Sequence, residues 1–158
     1  MSVGSLYQYF PNKESILFRL QLDEWQATST LLREILKNRQ NTPQERLRTA
    51  IATFLHSECE EAPIRAALAD AAPLFRDAPE ATNFRRAALR WLVAFWREVL
   101  PGVAPEPRAR AGELVMMTVK AIGERISEER KEAAEVEAYA SALGDMFCAY
   151  IERLRHRT

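Results

Sequence analysis

Apolar and polar positions along the chain recur with a helical period, and no stretch shows a convincing strand alternation. From Asn12 to about Asn38, Arg19, Gln26 and Arg33 repeat every seven residues, as do Asp23, Thr30 and Lys37, so the polar side chains gather on one narrow face. Ile16, Leu17, Leu20, Trp25, Leu31, Leu32, Ile35 and Leu36 cover the rest. So wide an apolar surface suits either a long helix touching two bodies or one sunk in a single core.

After the polar loop at 39–42, Thr42-Pro-Gln-Glu45 combines a capping box with proline at the first helical position. The stripe Leu47, Ala50, Ile51, Phe54 and Leu55 carries that helix to about Glu61. Pro63 is expected to open a further helix bearing Ile64, Ala67, Leu68 and Ala71, with Pro73 ending or kinking it. Asp77-Ala-Pro-Glu80 reads as a second capping box, starting a helix with Phe84, Ala88, Trp91, Leu92, Phe95 and Val99 on one side and closed by Pro101-Gly102. Pro105 to Pro107 leads into a helix reaching about Ser127, on which Ala111, Leu114, Val115, Thr118, Ala121, Ile122 and Ile126 leave only a narrow polar arc at Glu113, Lys120 and Glu124. The charged run from Glu128 to Glu132 reads as a solvated turn, and the last helix, about Ala133 to His156, presents Val136, Tyr139, Leu143, Met146, Phe147, Tyr150, Ile151 and Leu154. Two successive terminal helices, each wider in apolar surface than one core requires, suggest a partner surface.

The pattern implies an all-α protein, and composition agrees: 158 residues, 47% apolar and 28% charged, enough for one substantial core. Lys plus Arg and Asp plus Glu each total 22, so no broad cationic field marks the chain, although a DNA-binding protein need be basic only locally. Cys59 and Cys148 are isolated thiols, read as reduced and buried, with a disulfide between them as the alternative. Without a secretory leader, a lipidation signal or a long apolar run, the chain reads as soluble and cytoplasmic, with no membrane partner.

Residues 1–16 carry a different kind of signal. Ser2 suits an N-cap, and Leu6 and Phe10 stand four apart on one face of a short helix that Pro11 stops, after which Asn12 caps a new helix beginning at Lys13. Ser5, Tyr7, Tyr9, Lys13 and free backbone N–H groups then fall on one side, which suits them to hold phosphates, and Gly4 permits close approach to a groove. Ser2, Gly4, Ser5, Leu6, Tyr7, Tyr9, Phe10, Asn12 and Lys13 match the recognition helix and following turn of the TetR family of bacterial transcriptional regulators, which this stretch resembles.

The resemblance implies an all-α, TetR-like fold, with a remnant of a helix-turn-helix head at 1–15 and a helical ligand-binding and dimerisation bundle at 16–158. In the family two further helices precede the recognition helix, and the sequence here does not show them. The resemblance further implies that Ser5, Tyr7, Tyr9 and Lys13 touch the DNA backbone while Val3 and Gly4 sit nearest base edges. Phe54, Leu68, Phe75, Phe84, Trp91, Phe95 and Met117 come from helices that in the family surround a pocket for a small hydrophobic or aromatic effector, unless they simply fill a core. Trp91 and Phe95 are the leading pocket candidates, and Glu58 and Arg65, if inward, could fix a polar group. Leu114, Val115, Thr118, Ile122, Leu143, Phe147, Tyr150 and Ile151 are placed in the four-helix dimer interface that the family builds from its last two helices.

No catalytic grouping recurs at usable spacing, so an enzyme is not expected. His56 and Cys59 with adjacent Glu60 fall short of a metal ligand set, and no cofactor or metal is expected. The basic tail around His156 reads as a solvated helix end. The expected function is a homodimeric regulator, a repressor released from a palindromic double-stranded DNA operator by a small organic effector. The alternative is a dimeric ligand-binding or protein-interaction module without DNA binding.

Overall fold

The computed structural model describes residues 12–69, 78–129 and 131–156. Among them the chain forms five helices and no strand: α1 (Lys13–Lys37), α2 (Pro43–Leu68), α3 (Pro79–Val99), α4 (Pro105–Glu128) and α5 (Ala133–Arg155).

Local chemistry sets most boundaries. Asn12 caps α1 by accepting from the Ser15 N–H (2.8 Å), and Thr42 and Glu45 close the expected box at α2, with the Thr42 N–H donating to Glu45 Oε2 (2.7 Å). Helix α3 begins at Pro79 with Ala78 as its N-cap and no side-chain cap hydrogen bond, so Glu80 does not close the expected box; Asp77 lies outside the described residues. The run before α5 is more than a solvated turn, because Glu135 Oε2 accepts from the Glu132 N–H (3.2 Å) and fixes the helix start.

Pro63 does not open a new helix but lies inside α2. A proline there removes one backbone hydrogen bond and strains the preceding turn, yet Glu61 and Leu68 on either side are buried and hold the helix together. Arg65 Nη2 also donates to the Glu58 carbonyl (2.9 Å), beside the carbonyl that Pro63 leaves unmatched. Ala71 and Pro73 lie outside the described residues.

Helix α2 is the centre of the packing, in contact with α1, α4 and α5, while α3 leans on α1 and α4. Leu47, Ala50, Ile51 and Leu55 of α2 meet Leu36, Phe95, Val99, Val115, Val119, Phe147 and Ile151 in one continuous core. Each such Leu, Ile, Val or Phe side chain contributes about 1.5–3 kcal/mol by leaving water, and Ala50 less. The broad apolar surface expected of α1 is used only in part: Leu22 and Leu36 are buried, whereas Leu20 and Leu31 remain exposed. Close approach to α4 depends on two glycines. A Cβ at Gly112 would stand 2.7 Å from Trp96 Nε1, and one at Gly123 would stand 2.9 Å from Glu58 Cγ.

Arg46 ties three elements together. Its side chain is buried, its Nη1 donates to the Leu36 carbonyl at the end of α1 (2.6 Å), its Nη2 pairs with Glu98 of α3, and its guanidinium carbon lies 5.6 Å from the centre of the Phe95 ring. No helix among the described residues is long and apolar enough to cross a membrane. Both cysteines are free thiols, Cys148 buried and Cys59 half-buried, and burial pushes both above their ordinary pKa.

Candidate effector region and dimer surface

The residues expected to line a pocket divide among different surroundings. Phe95 and Leu68 are buried, and Phe95 packs edge-on against Trp96 (5.5 Å between centroids) beneath Arg46. Phe54 and Trp91 are half-buried against the same core. Phe84 stacks on Trp25 of α1 (6.1 Å, 26° between planes), joining α3 to α1. Met117 faces solvent with 63% exposure, which removes it from an interior pocket; Phe75 lies outside the described residues. Two open clefts of about 500 and 300 Å³ lie elsewhere, on either side of Glu98, and contain none of the expected pocket residues.

The polar residues suggested for this region do face inward. Glu58 of α2 is largely buried and pairs with Arg65 one helical span later (2.9 Å), and Arg65 also donates to Ser127 Oγ on α4 (2.7 Å). The sequence reading missed their neighbours. Glu61 is only 4% exposed, and its two oxygens accept from Gln21 Nε2 and Thr28 Oγ1 of α1, both at 3.2 Å. Burial pushes the Glu61 pKa up to about 7, helped by the charges of Glu58 and Glu24 and opposed by the Thr28 hydrogen bond and Arg65. Burial likewise raises Glu58, against the pull of Arg65. The one advance signal was Glu61 lying one turn from the suggested Glu58. Its partners lie 40 and 33 residues away and depend on how α1 docks.

Half of the expected dimer set is inside the protomer: Val115, Leu143, Phe147 and Ile151 are buried in its core and unavailable to a second copy. Thr118, Ile122 and Tyr150 are half-buried, and Leu114 is exposed. Some of the exposed apolar residues of α4 and α5 line up at heptad spacing, with Met116 exposed beside them. Leu114, Met117 and Ala121 are spaced three and four apart on α4, and Tyr139, Ala142, Met146 and Ala149 three, four and three apart on α5.

Lys13 is exposed in the first turn of α1, while Val3, Gly4, Ser5, Tyr7 and Tyr9 lie outside the described residues. His56 meets Glu137 of α5 (3.4 Å), and among the described residues no three His, Cys, Asp or Glu side chains are grouped to hold a metal.

A family described as "Tetracyclin repressor-like, C-terminal domain" matches residues 42–154. The chain belongs to the TetR family. No curated protein matches it closely enough to count as a relative. The match spans α2 to α5, so the TetR-type body is the all-α bundle described above.

Proposed function

We propose that this TetR-family chain is the regulatory part of a cytoplasmic, homodimeric transcriptional repressor that binds a palindromic DNA operator and is released by a small organic effector. It acts by binding rather than catalysis. Val3, Gly4, Ser5, Tyr7, Tyr9 and Lys13 contact DNA, the last four at phosphates and the first two near bases. The exposed seams of α4 and α5 supply the surface for the second copy, with Thr118, Ile122 and Tyr150 at its margin.

The observation that carries this reading is the attachment of α1. This single helix starts at Lys13, just after the stretch that resembles a recognition helix in sequence, and is held to the body by the Gln21 and Thr28 bonds to Glu61 and by the Trp25–Phe84 stack. An effector entering among Phe54, Trp91 and Phe84, with Glu58 and Arg65 as polar contacts, changes those attachments, tilts α1 and alters the spacing of the two recognition helices.

The test is a salt-dependent titration of the gene's upstream DNA with protein that includes any in-frame codons before Met1. Saturable binding is expected, and Lys13→Ala should weaken it on all sequences and flatten the log–log salt slope by about one unit. An unchanged slope removes Lys13 from the contacts. No binding at any salt favours a ligand-binding or interaction module without DNA binding.

A further inference from the structure

We propose that the contact between residues 13–28 of α1 and helix α2 is a pH-sensitive switch, which holds that part of α1 against the body in mildly acidic solution and loosens it as the pH rises through neutrality.

Helix α1 is attached to the body in two unlike ways. Its last turns join the common core through Leu36, with Leu32 and Ile35 packed against it, and Arg46 holds the Leu36 carbonyl (2.6 Å). Among the described residues, nothing in α1 before Leu32 belongs to that core. The earlier part meets the body through buried Leu22, through the Trp25–Phe84 stack, and through Gln21 and Thr28, which donate to the two oxygens of Glu61 at 3.2 Å each.

No cation among the described residues pairs with the Glu61 carboxylate. Arg65, one turn further along α2, is engaged elsewhere: it pairs with Glu58 (2.9 Å) and donates to the Glu58 carbonyl and to Ser127 Oγ of α4. Glu24 of α1 and Glu58 of α2 add negative charge around Glu61, while Lys120 and Glu124 of α4 act on Glu58 in opposite senses. Where α2 meets α5 the charges are matched, Arg48 with Asp145 and His56 with Glu137. A carboxylate buried among neutral donors ionises only at a cost that exposure to water removes.

That cost sets the direction of the switch. Glu61 in the docked joint keeps its proton up to about 7, whereas an exposed Glu61 releases it at its ordinary 4.5. Rising pH between these values therefore favours the undocked helix, and the effect levels off above 7. The grip on Leu36 does not involve Glu61, so α1 swings from its C-terminal anchor rather than leaving the body. The switch requires neither DNA nor an effector.

The test is amide hydrogen exchange of the full chain at pH 6 and pH 8, read by NMR and corrected for the intrinsic rate at each pH. Protection of the 17–28 amides is expected to lie below that of the 50–55 amides of the core, which marks opening of α1 alone. It should fall about tenfold from pH 6 to pH 8, as the proton linkage requires. Glu61→Gln should abolish the fall, and His56→Ala should leave it in place. Carbon-13 titration of the Glu61 carboxyl in the wild-type chain needs no variant and should show a midpoint near 7. Equal protection of the two segments, no fall between the two pH values, a fall that persists in Glu61→Gln or is lost in His56→Ala, or a carboxyl midpoint near 4.5 would each overturn the proposal.

Discussion

Two buried polar nodes fasten α2 to its neighbours, and they are built on opposite principles. At one end Arg46 and Glu98 match charge with charge, and the Glu98 carboxyl is held below its usual range. At the other end Glu61 is buried against neutral donors, Gln21 and Thr28, with Glu58 and Glu24 close enough to oppose its ionisation, and its pKa rises to about 7. The first node is a clamp whose bonds do not change near neutral pH. The second is a joint whose strength depends on a proton, and it lies where α1 meets the body.

Removing the carboxylate at each node should therefore have unlike effects. Glu98→Ala strands a buried guanidinium and should cost about 3 kcal/mol in urea unfolding at pH 7, the lower end for a broken buried pair, because the clefts on both sides of Glu98 admit water. A loss under 1 kcal/mol would show that the pair is a surface contact and dissolve the contrast. Glu61→Gln keeps one acceptor and removes a charge that was expensive to bury, so at pH 8 it should be neutral or stabilising.

The wild-type protein carries the same contrast in its pH dependence. Glu61 binds its proton more tightly folded, at about 7, than at its ordinary 4.5, so its contribution is complete below 4.5 and is lost as pH rises through 7. The fall should come to roughly 3 kcal/mol, since each tenfold gain in proton affinity on folding is worth about 1.4 kcal/mol. The midpoint of urea unfolding followed from pH 5 to 8 measures it, and Glu61→Gln should flatten the curve. A slope that survives in Glu61→Gln would assign the titration to another group.

How much of this was readable in advance depends on the distance over which each feature is determined. The starts of α1 and α2 were legible because Asn12 with Ser15 and Thr42 with Glu45 act within three residues. Glu58 and Arg65 were expected only as separate polar contacts on two helices, and their pairing follows from α2 running unbroken through Pro63. Pro63 misled, since the local rule against proline in a helix is outweighed here by packing on both sides of it. The dimer set mixed buried Phe147 and Ile151 with exposed Leu114 because apolar width alone does not separate core from surface, and the inward stripe Val115, Val119, Ile122 and Ile126 has the same three-and-four spacing as the exposed Leu114, Met117 and Ala121. Gln21 and Glu61 were illegible because two polar residues 40 apart become partners only once α1 has docked.

The smallest expected effect is the sharpest test of that joint. The Thr28 hydroxyl donates to Glu61 Oε1, and this bond favours the carboxylate over the acid. Thr28→Val keeps the shape and removes the donor, so the Glu61 pKa should rise further and the midpoint of the pH-dependent loss should move upward. At pH 5, where Glu61 is protonated in the folded protein, the substitution should cost well under 1 kcal/mol. At pH 8 it should cost about 1 kcal/mol, the net worth of one hydrogen bond to a buried acceptor. In a Glu61→Gln background the difference between the two pH values should vanish, because the titrating partner is gone. An equal cost at both pH values would mean that Thr28 contributes packing alone, and that Gln21 is the residue through which α1 senses the charge on Glu61.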